Sequence, residues 1–144
     1  MAKNTATAQW TGTLKEGKGH LALASGAYEG DFTFKSRFED GEGSMTNPEE
    51  LIAAAHAGCF TMQLSNMLHQ EGIVPESVET SAQVGIRQVD GKPTIATSAL
   101  SCTVRAPGVD EATVRDFAET AKADCIVSRA LAGIPDISLE LTVA

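Results

Sequence analysis

Cys59 and Cys125 are the residues of this chain whose settings most favour chemistry. A thiol reacts as its thiolate, and it reacts selectively where a cation, a helix N-terminus or a hydrogen-bond donor lowers its pKa from about 8.5 toward about 3.5–7.5. Cys125 directly follows Asp124, which reads as the cap of a short helical segment from Cys125 to Ala132, stopped by Gly133 and Pro135. Cys125 therefore has a helix terminus in its own sequence. Cys59 sits inside the Ala/Gly-rich run Ala53-Ala54-Ala55-His56-Ala57-Gly58-Cys59 and must take its activator from elsewhere.

Three residues could supply one. Glu49 precedes Cys59 by ten positions, which in a continuous helix is about 15 Å of rise, so the two can meet only across a break or across chains. If two copies of the helix cross near the small-residue patch, Glu49 of one reaches Cys59 of the other, and a two-fold contact suits such self-complementarity. A carboxylate beside a thiol opposes ionisation, so a cation is also required. Arg37 is the candidate, because its planar guanidinium can hold a carboxylate bidentately and still offer donors to a thiolate. Both have plainer readings: Arg37 as a surface arginine at a strand end, Glu49 as a first-turn acid facing the helix dipole. His56 lies three residues before Cys59 on the same helix face, which allows a Cys-His pair or an ordinary packing histidine.

Metal binding finds little support. A zinc site from His56, Cys59 and Cys125 lacks a fourth ligand at a recognisable spacing and any C-x-x-C element, so no metal and no cofactor is expected. Cys102 reads as a small core residue on a strand face.

The elements that must position these residues follow from periodicity. Residues 8–15 and 19–25 read as two strands around the turn Glu16-Gly17-Lys18-Gly19, and Asp31 to Phe38 as a third, with Phe32, Phe34 and Phe38 on one face. The polar stretch Glu39-Asp40-Gly41-Glu42-Gly43-Ser44 is a loop. Asn47 as cap, Pro48 at the first helical position and Glu49 with Glu50 in the first turn open a long helix that continues to about Glu71, with Gly72 as its stop. Its small residues predict close packing against a neighbour or a wholly interior position.

Two long strands come next, with Val78, Thr80, Ala82, Val84 and Ile86 sharing one face, a turn at Asp90-Gly91-Lys92, and Leu100, Cys102 and Val104 sharing a face on the return. A helix starts near Asp110 and runs through Val114, Phe117, Ala118 and Ala121. The last strand alternates Ile137, Leu139, Leu141 and Val143 with polar residues. The order βββ-α-ββ-αα-β is α+β, with antiparallel pairing.

At 144 residues the chain fits a single domain, residues 1–144, with enough core to fold without staples. A net charge of −8 and a pI near 4.8 oppose binding to nucleic acid or to anionic membranes. No apolar stretch near the N-terminus reads as a signal peptide and none is long enough to span a membrane, so a cytoplasmic protein is expected. In a reducing compartment three cysteines point to catalytic, redox or buried structural roles.

The run Thr46-Asn47-Pro48-Glu49-Glu50-Leu51-Ile52-Ala53-Ala54-Ala55-His56-Ala57-Gly58-Cys59-Phe60, with Asp124-Cys125-Ile126-Val127-Ser128, resembles the OsmC/Ohr family of thiol peroxidases. The Ser36-Arg37-Phe38 to Glu42-Gly43 stretch resembles its osmotically inducible branch. The resemblance implies an intertwined homodimer, with antiparallel sheets wrapped round long central helices and active sites at the subunit interface. It also implies reduction of organic hydroperoxides in preference to hydrogen peroxide. Cys59 would be the peroxidatic cysteine, oxidised to sulfenic acid, and Cys125 the resolving cysteine that closes a disulfide with it. Arg37 would stabilise thiolate and peroxide, oriented by Glu49 from the partner chain. The reductant implied is a dithiol such as dihydrolipoamide or a lipoylated protein. One departure stands out: many members place proline directly after the second cysteine, where this chain has Ile126.

Two other functions fit the residues. Cys-His acyl transfer would use Cys59 and His56 and dispense with Cys125. A stress-related apolar-ligand-binding protein would form no disulfide on peroxide treatment. An apolar pocket including Phe60 and Met62 would suit fatty hydroperoxides, although both also read as plain core residues.

Overall fold

The structure, a computed structural model, describes residues 3–39 and 44–144, so the heart of the expected Glu39–Ser44 loop lies outside the described residues. The chain divides into two compact units, Met1–Leu51 and Ile52–Ala144. Its class is α+β, with two three-stranded sheets among the described residues and a long helix, α2 (Pro48–Gln70), whose first residues belong to the first unit and whose remainder belongs to the second.

The first unit holds a three-stranded antiparallel sheet, β1 (Ala6–Thr11), β2 (Lys18–Leu23) and β3 (Glu29–Phe32), in that spatial order. The opening hairpin is shorter than its alternation suggests. The Trp10 indole N–H is shared between the carbonyls of Gly12 and Thr13, both at 3.2 Å, which wraps the chain into a loop and leaves Lys18 and Gly19 inside β2.

The third expected strand is corrected more deeply. β3 ends at Phe32, and Phe34–Phe38 form a short helix, α1. The cause is local: Thr33 Oγ1 accepts from the Ser36 N–H at 3.1 Å while Ser36 Oγ accepts from the Thr33 N–H at 2.9 Å, a reciprocal capping box that supplies the first turn's free donors. Phe34 and Phe38 sit four residues apart, a spacing that satisfies a strand face and a helix face alike, and their rings meet at 5.0 Å across one turn.

In the second unit β4 (Ser77–Val89) and β5 (Lys92–Arg105) form a long antiparallel hairpin. Its turn has positive φ at Asp90 (51°) and Gly91 (75°), the pair of left-handed residues that matches strand twist in a two-residue connection. Pairing steps from Gly85–Thr97 to Ile86–Ile95, so the extra residue of this bulge, Ala96, lies in β5, and Val78, Thr80, Ala82, Val84 and Ile86 of β4 are all half-buried. β6 (Asp136–Val143) lies on the other side of β5 and runs parallel to it, the exception to antiparallel pairing. The chain between them forms α3 (Glu111–Asp124) and α4 (Ile126–Ala130), a crossover long enough to bring β6 back in the same direction.

Asn47 caps α2 by accepting from the Glu50 N–H at 2.8 Å, and Gly72, at φ 73°, turns the chain just beyond its end. Phe60, Leu64 and Leu68 recur at helical spacing on α2 and are fully buried against Leu100, Cys102 and Val104 of β5 and Val114, Ala118 and Ala121 of α3. Burial of each large side chain contributes about 1.5–3 kcal/mol. A different stripe of α2, Ala54, Ala55, Gly58 and Met62, is exposed in the single chain.

Candidate functional site

Arg37 and Glu49 are brought together within the first unit. Asn47 Nδ2 donates to the Ser36 carbonyl at 2.9 Å and Ser36 Oγ donates to the Thr46 carbonyl at 2.9 Å, which ties α1 to the start of α2. Across that tie Arg37 Nε lies 3.2 and 3.3 Å from the two Glu49 oxygens, and Nη2 lies 2.9 Å from Oε1. The Glu49 side chain is 8% exposed and that of Arg37 41%, so the carboxylate is enclosed while the guanidinium keeps an open side. Phe38 supports it, with its ring centroid 5.1 Å from Cζ. Arg37 thus stands on a helix instead of a strand end, with Nη1 not engaged by Glu49.

Cys59 and Cys125 are brought side by side within the second unit as free thiols, each acting on the ionisation of the other. Asp124 is the last residue of α3 and does not cap the next helix. Cys125 itself is the junction, C-cap of α3 and N-cap of α4. Its N–H closes α3 on the Ala121 carbonyl at 2.9 Å, and its carbonyl accepts from the Arg129 N–H at 2.9 Å. One residue ends a helix and starts another, so the thiol stands at the N-terminus of α4 without a carboxylate cap and makes no side-chain cap hydrogen bond there.

The N–H donors at that N-terminus divide between the two sulfurs. Burial pushes the Cys59 thiol up, Cys125 beside it pushes further, and the N–H groups of Val127 and Ile126 only partly offset them. Burial also opposes ionisation of Cys125, but the Cys59 thiol, the Ser128 N–H and hydroxyl and the Val127 N–H all favour its thiolate and bring its pKa below the ordinary thiol value. Exposure runs the other way: Cys125 is fully buried, whereas Cys59 is partly open. The second unit therefore presents an accessible thiol that needs a cation and a buried thiol that already has its donors.

His56 is not a partner of Cys59. Its ring is fully buried, with Nδ1 2.7 Å from Ser98 Oγ and Nε2 2.8 Å from Ser128 Oγ, so both nitrogens are occupied by serines. Burial lowers its pKa and favours the neutral ring. Neither serine was among the sequence candidates. They lie 42 and 72 residues from His56, beyond any local pattern, although Ser98 has one signal: it is a hydroxyl on the core-facing row Ala96, Ser98, Leu100, Cys102 and Val104.

Cys102 is 1% exposed in that row, where Thr80 Oγ1 donates to its sulfur at 3.5 Å and burial raises its pKa. Phe60 is a core residue, while Met62 is 75% exposed. Among the described residues no helix is long and apolar enough to cross a membrane.

An α+β fold that sets an accessible cysteine against a buried, donor-rich one defines a thiol-based redox protein. The family model for OsmC-like proteins matches residues 41–140. The chain is 44% identical over 125 residues to peroxiredoxin OsmC of Escherichia coli strain K12, covering 86% of each, and 32% identical over 100 residues to an organic hydroperoxide resistance protein of Xanthomonas axonopodis pv. citri, covering 69% and 68%. Its fold matches the crystal structure of OhrB of Bacillus subtilis with a TM-score of 0.75 at 26% identity, covering 96% and 98%. An organic hydroperoxide resistance protein from Elizabethkingia anophelis matches with a TM-score of 0.74 at 28% identity, covering 99% and 97%. The chain belongs to the OsmC/Ohr family of redox proteins.

Proposed function

We propose that the protein is a cysteine-based peroxidase that reduces organic hydroperoxides to alcohols, and hydrogen peroxide less efficiently. The observation that carries this reading is the facing pair Cys59 and Cys125, of which only Cys59 is open to a substrate. The Cys59 thiolate attacks the terminal peroxide oxygen, the O–O bond breaks, and the organic oxygen leaves as an alkoxide that takes a proton to become the alcohol. Cys59 is left as a sulfenic acid. Cys125 attacks its sulfur, the S–S bond forms, the S–O bond breaks and water leaves. A dithiol such as dihydrolipoamide or a lipoylated protein then reduces the disulfide by exchange. A cytoplasmic setting, which keeps thiols reduced, suits this cycle.

The groups that act on Cys59 are the Cys125 thiol and the N–H groups of Val127 and Ile126, with no cation among them. The Arg37–Glu49 pair supplies one when delivered by a second copy: Glu49 orients the guanidinium, and its remaining donors stabilise the thiolate and the developing alkoxide. The exposed stripe Ala54, Ala55, Gly58 and Met62 on α2 supports a homodimer, because small side chains let a second helix approach closely beside Cys59. The names of the Escherichia coli and Xanthomonas relatives, a peroxiredoxin and a hydroperoxide resistance protein, agree with this chemistry.

The acyl-transfer reading loses its base, since both His56 nitrogens face serines. The deciding assay is consumption of cumene hydroperoxide with dihydrolipoamide as reductant. Wild-type protein should turn over repeatedly and Cys59→Ser should not consume peroxide; activity retained in Cys59→Ser would end the proposal.

A further inference from the structure

The buried His56 has no part in the cycle as written, yet it is joined to it. Its Nε2 lies 2.8 Å from Ser128 Oγ, and Ser128, three residues after Cys125 in the first turn of α4, favours the Cys125 thiolate through its hydroxyl. On its other side Nδ1 lies 2.7 Å from Ser98 Oγ on β5. A neutral imidazole has one donor and one acceptor nitrogen, and a serine hydroxyl has a single proton, so the protons in this line are not independent. When Ser128 gives its proton to the Cys125 sulfur, its oxygen must accept from Nε2–H, and Nδ1 must then accept from the Ser98 hydroxyl. The line Ser98, His56, Ser128, Cys125 is complete in that sense and leaves none of these groups without a partner. Such continuity matters in a site from which water is excluded, because an unmatched group there is costly.

We propose that His56 is a positioning residue for the second cysteine: through Nε2–H it fixes the Ser128 hydroxyl so that its proton points at Cys125, holding that sulfur ready to close the disulfide on Cys59. This rests on the two-cysteine reading above. In the step concerned the Cys125 thiolate attacks the sulfur of the Cys59 sulfenic acid, the S–S bond forms, the S–O bond breaks, and the departing hydroxide takes a proton from solvent to leave as water. The relay donates a hydrogen bond and is not consumed. Cys59 is the titratable group that touches Cys125 directly, and His56 acts on it through Ser128.

The test separates this role from simple packing and from the peroxidase reading. In a Cys59→Ser background, Cys125 is titrated by thiolate absorbance with no peroxide present. Ser128→Ala, which removes the hydroxyl, should raise the Cys125 pKa by about one unit, a roughly tenfold change in its ionisation constant. His56→Gln, which loses one of the two ring contacts, should move it the same way, and Ser128→Thr, which keeps the hydroxyl, should restore it. With Cys59 present, rapid mixing with cumene hydroperoxide should show sulfenic acid forming at the wild-type rate in Ser128→Ala and the disulfide closing about tenfold more slowly. A Cys125 titration unchanged in both Ser128→Ala and His56→Gln, in protein with native circular dichroism, would overturn the proposal. Equal slowing of both steps would also overturn it. Failure of wild-type protein to form any sulfenic acid would strike the peroxidase reading instead, and the titration would still decide the role of His56.

Discussion

Cys59 lies beside Cys125 at the residue where α3 ends and α4 begins, and each thiol shifts the ionisation of the other. The buried partner carries the stronger set of donors, while the open partner is held up by burial and by its neighbour. The two cysteines therefore have different requirements, and each requirement can be removed by itself.

Loss of Cys125 should spare the first step. Cys125→Ser is expected to consume one equivalent of cumene hydroperoxide and accumulate a Cys59 sulfenic acid that dimedone traps. Mass spectrometry of the trapped adduct checks this, and an adduct on Cys102 in its place would reassign the reactive thiol.

Removing the cation should slow the reaction with peroxide. Arg37→Ala is expected to lower its rate on the order of 10²-fold, the scale of losing one well-placed donor to a developing charge. Arg37→Lys should recover little, because a single ammonium cannot fork across both Glu49 oxygens as Nε and Nη2 do. Stopped-flow measurement of the oxidation and reduction half-reactions distinguishes this from a general loss, since reduction by dithiol should be nearly unaffected.

The residue after Cys125 carries a donor that proline would lack. The Ile126 N–H favours the Cys59 thiolate, and the side chain is 75% exposed, so Ile126→Pro suits the first position of α4 sterically while deleting that N–H. In a Cys125→Ser background the Cys59 titration should move to higher pH. An unchanged titration would show that the N–H contributes nothing to the sulfur.

Acid should destabilise the fold through His56. Its folded pKa lies below the ordinary value of 6.5, so as the pH falls through that value the unfolded chain takes up a proton that the buried ring refuses. More protons bound by the unfolded state mean that stability rises with pH in this window and is lost toward acid. The melting temperature of wild-type protein should therefore fall below about pH 6.5, and the slope should flatten in His56→Gln.

The core can be tested apart from the chemistry. Leu64 is fully buried between α2 and its neighbours, and Leu64→Ala should cost about 2–5 kcal/mol in urea unfolding. A smaller loss would mean that the surrounding side chains collapse into the space.

Features written in adjacent residues were legible before the structure. Asn47 with Pro48, Gly72, and the alternation of β6 located their elements, because each reflects a local rule of capping or pleat. Arg37, Glu49, Cys59 and Cys125 stand out in the sequence by type and spacing, but the helix under Arg37 does not. The phenylalanines at 34 and 38 fit two periods, and the Thr33–Ser36 capping box decided between them. Asp124 misled for a related reason: an acidic residue before a helix suggests a cap, yet here α3 extends through it and Cys125 takes the junction. The parallel pairing of β6 and the link from His56 to Ser98 and Ser128 depend on chain segments far apart, and no periodicity records them.

Intact-mass spectrometry of the reduced protein after one equivalent of cumene hydroperoxide, with peptide mapping of the product, decides whether Cys59 and Cys125 form the redox couple. A two-cysteine cycle gives a loss of two hydrogens, mapped to a disulfide between Cys59 and Cys125. No mass change, or a disulfide that includes Cys102, would contradict it.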